Sequence, residues 1–79
     1  MKKDVEEKLT VYPNPAKDIV RIDGVEPAEV KVYNALGQLV KTVHGTNEIS
    51  VDGLSKGVYL LHIQDKRGMP YSERIMVTR

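Results

Sequence analysis

Apolar and polar residues alternate along most of this chain in short runs, with the period of two that is typical of β-strands. In residues 58–64, Tyr59, Leu61 and Ile63 share one side of the run and the intervening residues share the other. The same alternation continues through residues 71–78. No long window places apolar residues at the i, i+3, i+4 spacing of a helix. The pattern therefore predicts an all-β protein.

Each connection between these runs contains Gly, Pro, Asn or Asp, the residues that permit the backbone angles of tight turns. Residues 34–40 come nearest to a helical pattern, but Gly37 in their middle favours a turn that leads into a strand. The predicted strands are residues 8–12, 18–22, 29–33, 38–43, 48–51, 58–64 and 71–78. About seven short strands at this spacing predict a small antiparallel sandwich of two sheets.

Two prolines flank an asparagine at Pro13-Asn14-Pro15. Each proline fixes its own φ, lacks an amide hydrogen and pushes the preceding residue towards extended conformations. This corner ends the first apolar run shortly before the second begins at Ile19. Taken alone, it predicts a rigid turn between two strands.

Composition narrows the classes of function. The chain has 79 residues, enough for one domain, and 41% of them are hydrophobic. It contains no cysteine, which excludes disulfides and thiolate chemistry. Twelve basic and eleven acidic residues are interspersed, whereas a nucleic-acid surface usually carries a basic stripe. No apolar stretch approaches the roughly 20 residues that span a bilayer. We predict neither nucleic-acid binding nor membrane insertion.

The N-terminal residues differ from the rest. Residues 1–8 are polar, mixed in charge and without periodicity, so we predict a linker or flexible tail there and the sandwich domain in residues 9–79. Lys2 and Lys3 imitate the start of a signal peptide, but acidic residues follow where its apolar region should lie. We expect the chain to be a piece of a longer protein.

Catalytic and metal-binding patterns are weak. Residues 53–57 match Gly-x-Ser-x-Gly around Ser55, but that motif requires a strand-to-helix turn and here a predicted strand follows. His44 and His62 have no Cys or His partner at a metal-ligand spacing. We predict no catalytic residue, no metal site and no cofactor, and so a protein that is not an enzyme.

Four motifs follow one another in order: Tyr-Pro-Asn-Pro-Ala at residues 12–16, Val-Lys-Val-Tyr-Asn-Ala-Leu-Gly-Gln-Leu-Val at 30–40, Gly-Val-Tyr-Leu-Leu at 57–61 and Arg-Ile-Met-Val-Thr-Arg at 74–79. This order resembles the C-terminal sorting domain, type A, of proteins secreted by the type IX (Por) secretion system. The likeness runs from about Leu9 to the last residue. Asn34 stands where an Asp is frequent in that family, and both residue types form turns.

The resemblance implies a fold and a role. The fold is a small Ig-like antiparallel β-sandwich of about seven strands. The domain would lie at the C-terminus of a larger passenger, cross the periplasm of a gram-negative bacterium, and be recognised by the outer-membrane type IX translocon. A sortase-like signal peptidase would then remove it, with cleavage within or just before residues 4–8. The passenger would be released or anchored to lipopolysaccharide at the cell surface.

The motif positions are the candidate recognition residues. We expect the final strand to lie at a sheet edge with its basic last residue exposed, offering unpaired backbone groups and a possible dimer contact. For Tyr59 we favour a core position with its hydroxyl bonded to backbone, as in a tyrosine corner. The sorting motif comprises Pro13, Asn14, Pro15, Gly37, Gly57, Tyr59, Ile75, Met76, Val77, Thr78 and Arg79.

An alternative function remains open at this point: an Ig-like glycan-binding or spacer module of a cell-surface protein. A glycan-binding face usually exposes a row of aromatic residues. The chain has no Trp and four tyrosines, of which Tyr59 is expected in the core. This composition argues against a glycan-binding face without excluding a spacer.

Overall fold

The computed structural model describes residues 9–78, which form seven β-strands. The strands are β1 (Thr10–Tyr12), β2 (Ile19–Asp23), β3 (Pro27–Tyr33), β4 (Leu39–His44), β5 (Glu48–Ser50), β6 (Gly57–Asp65) and β7 (Pro70–Val77). Each of the seven predicted strands has a counterpart, and the all-β prediction is confirmed.

The strands form two antiparallel sheets. One has three strands in the order β1-β2-β5 and the other has four in the order β4-β3-β6-β7. This partition differs from that of a constant-type immunoglobulin sandwich only in the fourth strand, which pairs with the third. The predicted β-sandwich is therefore confirmed, and its last strand lies at an edge of the larger sheet.

The core lies between the sheets and is built from the inward side of each alternating strand. In β6, Tyr59, Leu61 and Ile63 are buried while Val58 and Leu60 are partly exposed. The buried apolar residues are Ala16, Val20, Ile22, Val30, Val32, Ile49, Val51, Tyr59, Leu61, Ile63, Ile75 and Val77. Most are branched aliphatics, whose side chains pack well on a pleated surface.

Strand boundaries differ from the predicted ones by a few residues. β3 begins at Pro27, two residues before the predicted start, and β7 begins at Pro70. Proline lacks an amide hydrogen but is tolerated as the first residue of a strand. The predicted start of the first strand at Lys8 lies outside the described residues, as does the predicted linker of residues 1–8.

The connection between β3 and β4 is a turn, as predicted, and not a helix. The side-chain Oδ1 of Asn34 accepts hydrogen bonds from the backbone N–H groups of Leu36 and Gln38, each at 3.0 Å. Gly37 completes the turn with a φ of +85°, which favours glycine. Within residues 9–78, no helix is long and apolar enough to cross a membrane.

Candidate recognition site

The Pro-Asn-Pro corner carries the chain from one sheet to the other. β1 ends at Tyr12 in the three-stranded sheet, and Ala16 forms a parallel bridge with Val77 in the four-stranded sheet. Both prolines follow cis peptide bonds. Because a proline has no N–H group, the crossing leaves few backbone donors without partners.

The corner is hydrogen-bonded directly to the last strand. The side-chain amide of Asn14 donates to the carbonyl of Arg74 at 3.2 Å and accepts from the N–H of Met76 at 3.0 Å. The N–H of Ala16 donates to the carbonyl of Met76 at 2.8 Å, and its carbonyl accepts from the N–H of Thr78 at 2.8 Å. These bonds join segments about 60 residues apart in the chain.

This contact corrects one expectation about the edge of β7. The prediction that β7 lies at a sheet edge is confirmed, but the backbone groups of Met76 and Thr78 on that edge are bonded to Asn14 and Ala16. Farther back along the strand, the outward backbone groups of Ser72 have no partner within residues 9–78. Arg79 lies outside the described residues, so its predicted exposure stays a prediction.

The start of β6 lies beside the end of β7. Gly57 is paired with Val77, and Tyr59 is paired with Ile75. Tyr59 is 7% exposed, and its hydroxyl donates a hydrogen bond to the carbonyl of Ser55 at 2.7 Å. The interpretation of Tyr59 as a tyrosine corner is therefore confirmed. β6 begins directly after the loop that holds Ser55, so the strand-to-helix turn of a serine nucleophile is not formed there.

An open pocket of about 380 Å³ connects this end of β6 with the turn that contains Gly37. We call it the apolar pocket, and its lining includes Tyr33, Gly37, Val58, Leu60 and Arg74. It lies on the outer face of the four-stranded sheet, on the side opposite the core. The pocket brings Gly37 to the same end of the sandwich as the other motif residues.

The rim of the apolar pocket carries one cationic side chain, that of Arg74. Arg74 is exposed and makes no ion pair within residues 9–78. The ring of His62 also lines the pocket and contacts the ring of Tyr33 edge-on, with 5.0 Å between ring centroids. Among the residues that the structure describes, no Asp or Glu lines the pocket. The pocket is therefore suited to an apolar group that has a negative charge next to it.

Potential metal ligands are scattered. Among residues 9–78, no group of three or more His, Asp or Glu side chains lies close enough together to hold a metal ion.

Comparison with known proteins agrees with this geometry. Residues 10–78 match the family described as "Secretion system C-terminal sorting domain". The chain belongs to the type IX C-terminal sorting domains. It is also 34% identical over 73 residues to beta-agarase D of Zobellia galactanivorans, a match that covers 91% of this chain and 15% of that protein. The sorting domain thus spans a small part of the length of this relative.

Membership in this family carries two coarse conclusions. The family consists of sorting signals, not catalytic domains. A protein that carries such a domain is exported to the cell surface or the extracellular space.

Most of the predicted motif residues of the sorting domain lie together at one end of the sandwich. The corner contacts the end of β7, and β7 pairs with the start of β6. Three participants lie within the quoted motifs but were not among the predicted recognition residues: Ala16, whose backbone forms the bridge, and Leu60 and Arg74, which line the pocket. Alternation along each strand identified their outward sides, but not which strands would be neighbours.

The opposite end of the sandwich is held by a buried carboxylate. Asp65 is 3% exposed, and its Oδ1 accepts hydrogen bonds from the N–H groups of Arg67 and Met69, each at 2.9 Å. Its Oδ2 accepts from the Tyr71 hydroxyl at 3.3 Å. Burial by itself raises the pKa of Asp65. The hydrogen bonds from Met69 and Arg67 and the charge of Arg67 lower this pKa by a larger amount, so the pKa of Asp65 lies below its usual value.

Proposed function

We propose that this domain is a non-enzymatic address at the C-terminus of a larger passenger protein, read by the outer-membrane type IX translocon. The observation that carries this proposal is the joining of the Pro-Asn-Pro corner and the adjacent Ala16 to the last strand by hydrogen bonds from the Asn14 side chain and the Ala16 backbone. A surface held in this way binds with little loss of conformational entropy, which favours recognition of the folded domain. No cofactor takes part.

The passenger follows a route with several steps. It crosses the inner membrane by its own signal peptide, and the sorting domain folds in the periplasm. After passage through the translocon, a sortase-like peptidase cleaves within or just before residues 4–8, which lie outside the described residues. The passenger is then released or joined to lipopolysaccharide. The match to the named agarase supports a passenger on the N-terminal side.

Recognition uses the end of the sandwich that holds the motif residues. The apolar pocket lies there, with Arg74 on its rim. A translocon segment with an apolar residue beside an acidic one fills this pocket and pairs with the cation. The sequence beyond Thr78 adds a second contact.

The central test is a reporter with an N-terminal signal peptide and the 79-residue chain at its C-terminus. We expect the reporter at the surface of cells with a working type IX translocon and not in cells that lack one. Deleting residues 75–79 should abolish export. Surface delivery in translocon-deficient cells would contradict the proposal, and glycan binding by the domain would then favour the spacer or glycan-binding alternative.

A matched pair of variants tests the pocket. Leu60 is 37% exposed in the apolar pocket, and Ile19 is 42% exposed on the other sheet. Leu60→Ser and Ile19→Ser remove apolar side chains of the same size from two positions of similar exposure, so the two variants should lose similar amounts of stability. Export should fall only for Leu60→Ser. Equal export of the two variants would exclude the pocket as the recognition surface and leave the sorting role standing.

A further inference from the structure

The last part of the outer edge of β7 is covered by the corner segment, through Asn14 and Ala16. Met76 and Thr78 direct backbone groups away from β6, where an exposed edge would be free to pair with another chain. Ala16 occupies that edge opposite Val77 in parallel register. In a parallel ladder, one residue donates to the residue before its partner and accepts from the residue after it. The bonds of Ala16 to Met76 and Thr78 follow this rule.

The side chain of Asn14 continues the same ladder by one step. Its amide nitrogen donates to the carbonyl of Arg74 and its amide oxygen accepts from the N–H of Met76, the two residues on either side of Ile75. A backbone residue paired with Ile75 would make these two bonds. The side-chain amide has the donor and the acceptor of a peptide group, so it replaces one.

The two prolines leave Asn14 as the residue of the corner that can donate a hydrogen bond to β7. Pro13 and Pro15 have no N–H groups, so the backbone at these two positions has no donor to offer β7. Asn14 has a backbone N–H, but the donor that bonds to the Arg74 carbonyl is its side-chain amide. Aspartate has no amide donor, and serine lacks the paired donor and acceptor on one planar group.

We propose that Asn14 is a positioning residue. Its side-chain amide takes the place of one backbone peptide group in the ladder on β7, fixes the last part of that strand and closes its edge to strand addition. The end of β7 is thereby held against the corner, and the outward backbone groups of Met76 and Thr78 are already bonded. The translocon then meets the side chains of β7. Within residues 9–78, the outward backbone groups still available for pairing include those of Ser72. This inference rests on the proposed sorting function.

Three variants of the whole chain test the proposal. Asn14→Ala removes both bonds, and Asn14→Asp keeps the acceptor for the Met76 N–H but loses the donor to Arg74. Thr46→Val is the matched control, because Thr46 also makes two exposed side-chain bonds to backbone, both to Glu48 and remote from β7. Similar losses of thermal stability are expected for Asn14→Ala and Thr46→Val.

Amide hydrogen exchange measures directly whether the Met76 N–H is bonded to the Asn14 side chain. In Asn14→Ala the Met76 amide should exchange on the order of tenfold faster. The Ile75 amide, which faces β6, should exchange as in the wild type. Asn14→Asp should keep most of the Met76 protection. Thr46→Val should leave both rates unchanged.

Export of the passenger reporter should follow the protection of Met76: strongly reduced for Asn14→Ala, intermediate for Asn14→Asp and normal for Thr46→Val. Normal export of Asn14→Ala, or lost export with unchanged Met76 exchange, would overturn the positioning role. Failure of the wild-type fusion to reach the surface would instead overturn the proposed function.

Discussion

The two ends of the sandwich are each secured by one polar side chain that bonds to backbone, but over very different distances along the chain. At one end, Asp65 reaches N–H groups two and four residues later. At the other, Asn14 reaches groups 60 and 62 residues later. The local bond defines the turn between β6 and β7. The long-range bond joins the start of the domain to its end, where the candidate recognition residues lie.

This difference separates stability from function. The Asp65 end contains none of the sorting-motif residues, so changes there should lower stability without altering recognition of the folded domain. The Asn14 end should respond in export more than in stability. Measuring both thermal stability and export for variants at the two ends tests whether the Asp65 end affects stability and the Asn14 end affects export.

The largest effect on stability is expected from Asp65→Ala. It leaves the N–H groups of Arg67 and Met69 without the buried carboxylate that accepts from them, and it also removes the acceptor for the Tyr71 hydroxyl. We expect Tm to fall by about 10 °C, measured by thermal unfolding, while export at a temperature where the domain is folded stays normal. Asp65→Asn keeps one acceptor oxygen and should lose less. An equal loss for both variants would contradict this account of the turn.

The same carboxylate predicts how stability depends on pH. The pKa of Asp65 is lower in the folded chain than its usual value, so the contribution is complete above about pH 4 and is lost as the pH falls through the folded pKa. Chemical unfolding between pH 5 and pH 2 should show a steeper fall for the wild type than for Asp65→Asn. Parallel curves would remove Asp65 as a source of acid sensitivity.

A smaller loss of stability is expected from replacing either of two glycines that lie in turns of the four-stranded sheet. Gly37 and Gly68 have φ values of +85° and +87°, and an added Cβ would meet no heavy atom within 4 Å at either site. Replacement by Ala should therefore cost each turn about 1 to 2 kcal/mol through backbone strain alone. Thermal unfolding should give equal losses, whereas export should fall further for Gly37→Ala, since Gly37 lines the apolar pocket.

Equal export of the two glycine variants would place Gly37 outside the recognition surface. A much larger loss of stability for either variant would mean that the added methyl group, and not the backbone angle, disturbs the turn.

Short-range features of the fold were predictable from the sequence. The alternation in β6 identified its buried side, because successive side chains in a strand point to opposite faces. The position of Tyr59 followed from the glycine before it and from the apolar run after it. Boundaries were less accurate, as at Pro27, since a proline ends a run in sequence but also begins a strand.

The candidate site was predictable only in part. The sequence marked the corner and the last strand as candidates but did not indicate that they touch. Ala16 belongs to the corner motif but was not named as a recognition residue, because its bridge to Val77 uses only backbone groups, which leave no signature in residue type. Arg74 and Leu60 also lie in quoted motifs, but their place in the pocket was not predicted because the pocket depends on which strands lie side by side.

Residue order by itself determined the strands, their inward sides, the turns and the family, since each depends on neighbours within a few positions. Only the tertiary structure decided that the amide of Asn14 completes a ladder on β7 and that the Gly37 turn shares a pocket with β6. These contacts join distant segments, and their register is set by how the two sheets pack around the common core.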